Sequence, residues 1–184
     1  MSSNIALFGM MGSGKSTVGR ALSARLGRGF ADTDAEIVRW RGATIPDIFE
    51  QEGEPAFRAY EARVVRELAT FQDLVLALGG GVVLDDANVA DLSLTGVMVH
   101  LEASPDVLVA RLRDEAAGRP LLAGDDLEQR IRTLHDERAA RYDDVADVVL
   151  DADKQVMDVV DDLIAWLVEH PDMLTPSEFE AVMT

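Results

Sequence analysis

Residues 9 to 17 read GMMGSGKST, between an apolar run, IALF, and an amphipathic run that begins VGRALSARL. The spacing fits G-x-x-x-x-G-K-[ST], a phosphate-binding loop set between a strand and a helix. Gly9, Gly12 and Gly14 allow backbone angles that a Cβ would resist. Successive N–H groups can then converge on an anion, and the helix that starts near Lys15 adds its positive end. Lys15 can reach the β- and γ-phosphates, and the Ser16 hydroxyl can face Mg2+. The chemistry on offer is that of a bound nucleoside triphosphate.

Further residues decide between hydrolysis and transfer. There is no N-K-x-D base-reading motif, and LVLAL at 74–78 runs into three glycines rather than ending in aspartate. A magnesium-supporting carboxylate must therefore come from elsewhere. In FADTD, Asp32 and Asp34 stand two apart, so on a strand they share a face. One can support Mg2+ and the other can take a proton from an attacking hydroxyl, although solvated surface acids are an equal reading of this pair alone. In EGEPAFRAYE, Arg58 and Glu61 are three apart and meet on one helical face. A guanidinium fork binds a carboxylate at two points, which makes Arg58 a clamp for an acidic substrate, with Glu61 holding the fork. Gly79, Gly80 and Gly81 end a strand with bare backbone on which a small ring can lie. RLRDEAAGRPLLAG, residues 111–124, has the composition of a lid that excludes water. Within it Arg119 can neutralise the transferring phosphate, and Arg111 or Arg113 can stack on adenine. Arg138, in ERAARY, offers a second fork. Each arginine alone is an ordinary surface residue; together they form a positive island in a chain of formal charge −17.

Short apolar runs alternate with helical periodicities. Strands are expected at Ile5–Phe8, Phe30–Asp34, Leu74–Leu78, Val97–Leu101 and Val148–Leu150, and helices at Lys15–Leu26, Glu54–Ala69, Pro105–Arg113, Leu127–Arg141 and Val156–Glu169. That alternation predicts an α/β fold with a parallel sheet covered on both faces, its ligands beyond the carboxyl ends of the strands. One domain over residues 1–170 is expected, followed by a tail, 171–184, in which Thr175 and Pro176 start a short helix or the chain is disordered. The 184 residues are 48% hydrophobic and include no cysteine, so disulfides and thiolate metal sites are excluded. The acidity argues against nucleic acid. The opening MSSNIALFGMMG lacks the character of a secretion signal, and no stretch approaches the ~20 apolar residues of a membrane helix. A cytoplasmic monomer without a membrane partner is expected.

GMMGSGKSTVGR, FADTD, IFEQEGEPAFRAYE, LGGGVV, RPLL and ERAARY, in that order, resemble the shikimate kinases, a nucleoside-monophosphate-kinase-like P-loop family. The likeness spans about residues 4 to 170. It implies a five-stranded parallel sheet in the order 2-3-1-4-5, a substrate-binding region over about 34–61 and a mobile lid over about 112–124. It implies ATP-dependent phosphorylation of the 3-hydroxyl of shikimate, giving shikimate 3-phosphate and ADP on the way to chorismate and the aromatic amino acids. By the same likeness Gly12, Ser13, Gly14, Lys15, Ser16 and Thr17 hold ATP phosphates, and Ser16 with Asp32 serves Mg2+. Arg113, Arg119 and Gln155 complete the nucleotide site. Asp34, Arg58, Gly79, Gly80, Gly81 and Arg138 bind shikimate, and Lys15, Asp34 and Arg119 carry catalysis. Three features depart from the family, one of them Ala77, where some relatives carry Ser or another polar residue that could help hold water near magnesium. Arg111 and Arg113 compete for the adenine, and Gln155 stands where relatives often carry arginine. Gluconate kinase, or a nucleotide sensor without catalysis, are the alternatives.

Overall fold

The computed structural model describes residues 3–113 and 126–183. Strand β1 (Asn4–Phe8) is buried along its whole length, the sign of a strand covered on both faces. Its glycine-rich exit turns directly into α1 (Lys15–Leu26). Gly14 caps that helix at φ 94, and Gly27 ends it at φ 73 with its N–H on the Ser23 carbonyl. Both are left-handed conformations that suit glycine. Val18, Leu22 and Leu26 form the buried face of α1.

β2 covers Gly29–Asp32, and α2 (Thr33–Arg41) follows with no loop between them. This corrects the strand expected to run to Asp34. The Asp32 carboxylate accepts from the N–H groups of Asp34 and Ala35, an N-cap that turns the chain into a helix at Thr33. Asp32 and Asp34 therefore do not share a strand face; Asp34 stands in the first turn of α2.

α3 (Ile45–Leu68) starts nine residues before the helix expected at Glu54. Thr44 and Asp47 form a reciprocal capping box. Gly53, at φ 81 and ψ 169, breaks the helix into two segments, with Pro55 in the first turn of the second, where a missing N–H does no harm. Gly53 and Pro55 hide the first segment from a periodicity search.

β3 (Leu74–Ala77) leads through Gly79–Gly81 to a 3-10 turn at Val82–Leu84 and then α4 (Asp86–Ser93), a helix without a long apolar period. β4 (Gly96–Glu102), α5 (Pro105–Leu112), α6 (Leu127–Val145), β5 (Val148–Asp151) and α7 (Val156–Glu169) complete the alternation. α8 (Pro176–Val182) takes the helical alternative for these tail residues, capped by Thr175 and Glu178.

The sheet is parallel throughout, in the order β2-β3-β1-β4-β5. β1 at the centre pairs Ile5 with Val75 on one side and Val97 on the other. α1, α7 and α8 pack together, while α4 and α6 lie against β4 and the 3-10 turn. Ile37, Ile48, Phe57 and Val64 make a second, smaller core between α2 and α3. That satellite core gives the substrate side of the molecule a body of its own.

Candidate active site

A cleft of about 1020 Å³ opens beyond the carboxyl ends of β1, β2, β3 and β5. Its floor is the loop from Met11 to Thr17. Gly12 is at φ 83 and Gly14 at φ 94, so the loop takes the curvature that lets N–H groups converge. Lys15 folds back over it, Nζ donating to the Gly9 and Met10 carbonyls at 3.0 and 2.9 Å. Ser16 Oγ donates to Asp32 Oδ2 at 2.6 Å, joining the first turn of α1 to the end of β2.

At the other end, three glycines are packed against charges. Gly79 donates its N–H to Thr33 Oγ1 at 2.8 Å. A Cβ on Gly79 would lie 2.6 Å from Asp34 Oδ1 and 2.9 Å from Glu61 Oε1, and one on Gly81 would lie 2.2 Å from Arg58 Nη1. Only backbone fits between these groups. Gly80 offers its carbonyl to Arg138 Nη1 at 3.2 Å and to the Tyr142 hydroxyl at 2.6 Å. Arg138 is buried on α6, a cation held inside the protein at the cleft wall. Burial pushes the Tyr142 phenol up, so it stays a hydrogen-bond donor.

Glu61 sets the electrostatics. It is 2% exposed, and Oε2 accepts from Arg58 Nη1 at 3.0 Å. Burial pushes its carboxyl up to about 7; Arg58 and Arg138 pull the other way, and Asp34 adds to the rise. Asp34, Arg58 and Arg138 thus all act on one buried group, and all three line the cleft. Ile45, Phe49 and Phe57 supply an apolar wall beside them, with the Phe49 and Phe57 ring centroids 4.9 Å apart.

Most of the residues singled out from the sequence meet here. Gly12–Thr17, Asp32, Asp34, Arg58, Gly79–Gly81, Arg138 and Gln155 all line the cleft. Arg113 does not: it is exposed just past α5 and faces no part of the cleft. Arg111 lines the nucleotide end instead, donating to the carbonyls of Gly12 at 3.3 Å and Ala152 at 2.9 Å. The two are two residues apart, about half a turn of helix, so they point to opposite sides, and Arg111 is on the side that meets the phosphate loop. Arg119, and the expected lid from residue 114 onward, lie outside the described residues. Three contributions escape sequence reasoning. Thr33 reads as a spacer in FADTD yet pins Gly79. Tyr142 closes ERAARY yet holds Gly80. The apolar wall at Ile45 and Phe49 was legible as an i, i+4 pair on a helix, had that helix been seen.

A parallel 2-3-1-4-5 sheet, a phosphate loop after β1 and a polar pocket across the cleft from it define a nucleoside-monophosphate-kinase-like P-loop kinase. Residues 11–168 match the family model for shikimate kinase. The chain is 44% identical to the shikimate kinase of Pelotomaculum thermopropionicum, over 91% of this chain and 96% of that protein. It is 41% identical to that of Chromobacterium violaceum, over 93% of each. The structure of shikimate kinase from Acinetobacter baumannii in complex with shikimate superimposes with a TM-score of 0.88 at 38% identity, covering 92% of this chain and 95% of that one. The chain belongs to the shikimate kinase family.

Proposed function

We infer that this enzyme transfers the γ-phosphoryl group of ATP to the 3-hydroxyl of shikimate, giving shikimate 3-phosphate and ADP. The observation that carries the reading is the convergence of Arg58, Arg138, Asp34 and Glu61 around Gly79–Gly81, in the same cleft as the phosphate loop. Two guanidinium groups suit a ring that bears a carboxylate. Gluconate carries a carboxylate too, so the two forks suit both acids; the apolar wall of Ile45, Phe49 and Phe57 favours shikimate's partly apolar ring over gluconate's open polyhydroxy chain.

Arg58 and Arg138 hold the carboxylate, the apolar wall takes a face of the ring, and the backbone of Gly79–Gly81 takes its edge. Asp34, in the first turn of α2, orients the attacking hydroxyl and receives its proton as the new O–P bond forms. The bond from the γ-phosphorus to the bridging oxygen breaks, and ADP leaves with that electron pair. The transition state is loose, so positioning and charge neutralisation carry most of the catalysis. Lys15 exchanges its two carbonyl partners for β- and γ-phosphate oxygens. Arg111 and Gln155 form the nucleotide end, with Arg113 and Arg119 as further contacts when the chain closes over ATP.

The Ser16 hydroxyl and Asp32 carboxylate, one hydrogen bond apart, are hard oxygen donors. Among the described residues no cluster of three or more His, Cys, Asp or Glu could hold a metal by itself. Magnesium, which takes few protein ligands and shares its shell with phosphates and water, fits this pair. Bound there, it would neutralise charge on the β- and γ-phosphates.

A coupled ADP-release assay across shikimate, quinate and gluconate tests the function. ADP release is expected with shikimate and Mg2+. Turnover of gluconate in preference to shikimate would overturn the assignment. A monomer working on freely diffusing substrates in the cytoplasm is part of the same proposal; among the described residues no helix is long and apolar enough to cross a membrane.

A further inference from the structure

Arg58 carries five N–H donors, and the protein's own acids already occupy three of them. Glu61 takes Nη1 at 3.0 Å from the buried side. Glu54 Oε1 accepts from Nε at 3.3 Å and from Nη2 at 2.9 Å. The Nε–Nη2 edge is a side of the fork that grips a carboxylate at two points. A carboxylate already sits there, and it belongs to the chain itself.

The two glutamates differ in what holds them. The Glu61 side chain is 2% exposed, whereas that of Glu54 is 52% exposed. Glu61 is part of the floor under Gly79. Glu54 is the first residue after the break at Gly53, one turn ahead of Arg58. An acid at the start of a helical segment is favoured by the helix dipole, and the i, i+4 spacing brings it over the guanidinium. The break at Gly53 is therefore what delivers a solvent-facing carboxylate to the clamp.

We propose that Glu54 is a built-in competitor for the substrate's carboxylate: it occupies the Nε–Nη2 edge of Arg58 in the free enzyme and swings into solvent when an acid binds. The proposal rests on the reading of Arg58 as the carboxylate clamp. Displacement is easy, because a half-exposed pair on one helix is weak. The penalty falls only on ligands that need this edge of Arg58. It lowers the apparent affinity for the acid and leaves the phosphoryl-transfer step and the nucleotide end untouched.

The test is Glu54→Gln, which keeps the size of the side chain and removes its charge. Steady-state kinetics should show KM for shikimate falling about two- to fivefold, with kcat and KM for ATP like those of the parent. Direct binding of shikimate and of its neutral carboxamide provides a second readout: the gain should appear for the acid and vanish for the amide. A KM for shikimate that stays the same or rises overturns the proposal, since Glu54 is then a spectator or a support for Arg58. Equal gains for acid and amide also overturn it, as a general loosening of the site. A parent chain inactive on shikimate removes the clamp reading and this proposal together, whereas an active parent with an unresponsive variant removes this proposal alone.

Discussion

Asp34 and Glu61 are two acids on either side of Gly79, and their surroundings give them different roles. Asp34 lines the cleft at the start of α2, and in the proposed mechanism it takes the proton; Asp34→Asn should then keep the fold and lower kcat by about 10²–10⁴, measured by ADP release and checked by circular dichroism. Glu61 is buried, with its carboxyl pushed up to about 7 chiefly by loss of water. A carboxyl with a higher pKa in the folded state favours the fold when protonated. Its contribution is full below the ordinary value of 4.5 and is lost as pH rises through about 7. Glu61→Gln lacks this term. Its stability, from urea unfolding, should gain on that of the parent by up to roughly 3 kcal/mol between about pH 5 and pH 8. A stability difference that does not change over that interval would remove the burial argument. In the same variant KM for shikimate should rise, because a neutral amide holds the Arg58 fork less firmly.

Among the elements, the segment after β3 does the most to shape the pocket. Gly81 has φ −102, a conformation open to any residue, so what a side chain would meet here is the Arg58 fork rather than a forbidden backbone angle. An added Cβ would lie 2.2 Å from Arg58 Nη1 and 2.7 Å from the carbon that joins the fork. Gly81→Ala should therefore push Arg58 aside. KM for shikimate should rise roughly tenfold with little change in KM for ATP, the size expected of overpacking at one contact. Equal losses for both substrates would mean that the segment had moved as a whole. The same logic explains why α2 follows β2 without a loop. Asp32 caps the helix, Thr33 ties Gly79, and Asp34 faces inward, so three consecutive residues couple two strand ends to one pocket.

The whole molecule carries a formal charge of −17, yet among the described residues that line the cleft five cations, Lys15, Arg58, Arg111, Arg138 and Lys154, face four carboxylates. Anionic substrates thus meet a local balance inside a repelling field. The far side of the fold is fastened by a different charge pair. Arg28, 1% exposed in its side chain, donates Nε to Glu178 Oε1 at 2.7 Å and reaches the carbonyls of Ser3 and Met173. This clasp joins the loop after α1 to the first strand and to α8. Burial raises the Glu178 carboxyl, but Arg28 and Thr175 outweigh it and hold it below its ordinary value. The stabilisation is therefore present above the usual carboxylate range and is lost only as pH falls below it. Glu178→Ala strands a buried guanidinium and should cost roughly 3 kcal/mol in urea unfolding, with activity per folded molecule unchanged. A loss no larger than that of a surface pair would show that water reaches Arg28 in the absence of its partner.

The amino-acid sequence alone determined the phosphate loop, the strand–helix alternation, the parallel order that its family implies, and most of the charged residues of the cleft. These depend on spacing within a few residues or on a motif whose mechanism is local. What only the tertiary structure decided involves approach across the fold. It placed Asp34 on a helix, because the cap at Asp32 outweighed the strand-like pattern of FADTD. It chose Arg111 over Arg113 for the cleft, because helix phase against a distant loop is not written in α5. It tied Thr33 and Tyr142 to the glycines after β3, and it began α3 at Ile45 and broke it at Gly53. Those contacts join residues far apart in the chain, or turn on where one helix starts, and no period of 2 or 3.6 residues encodes either.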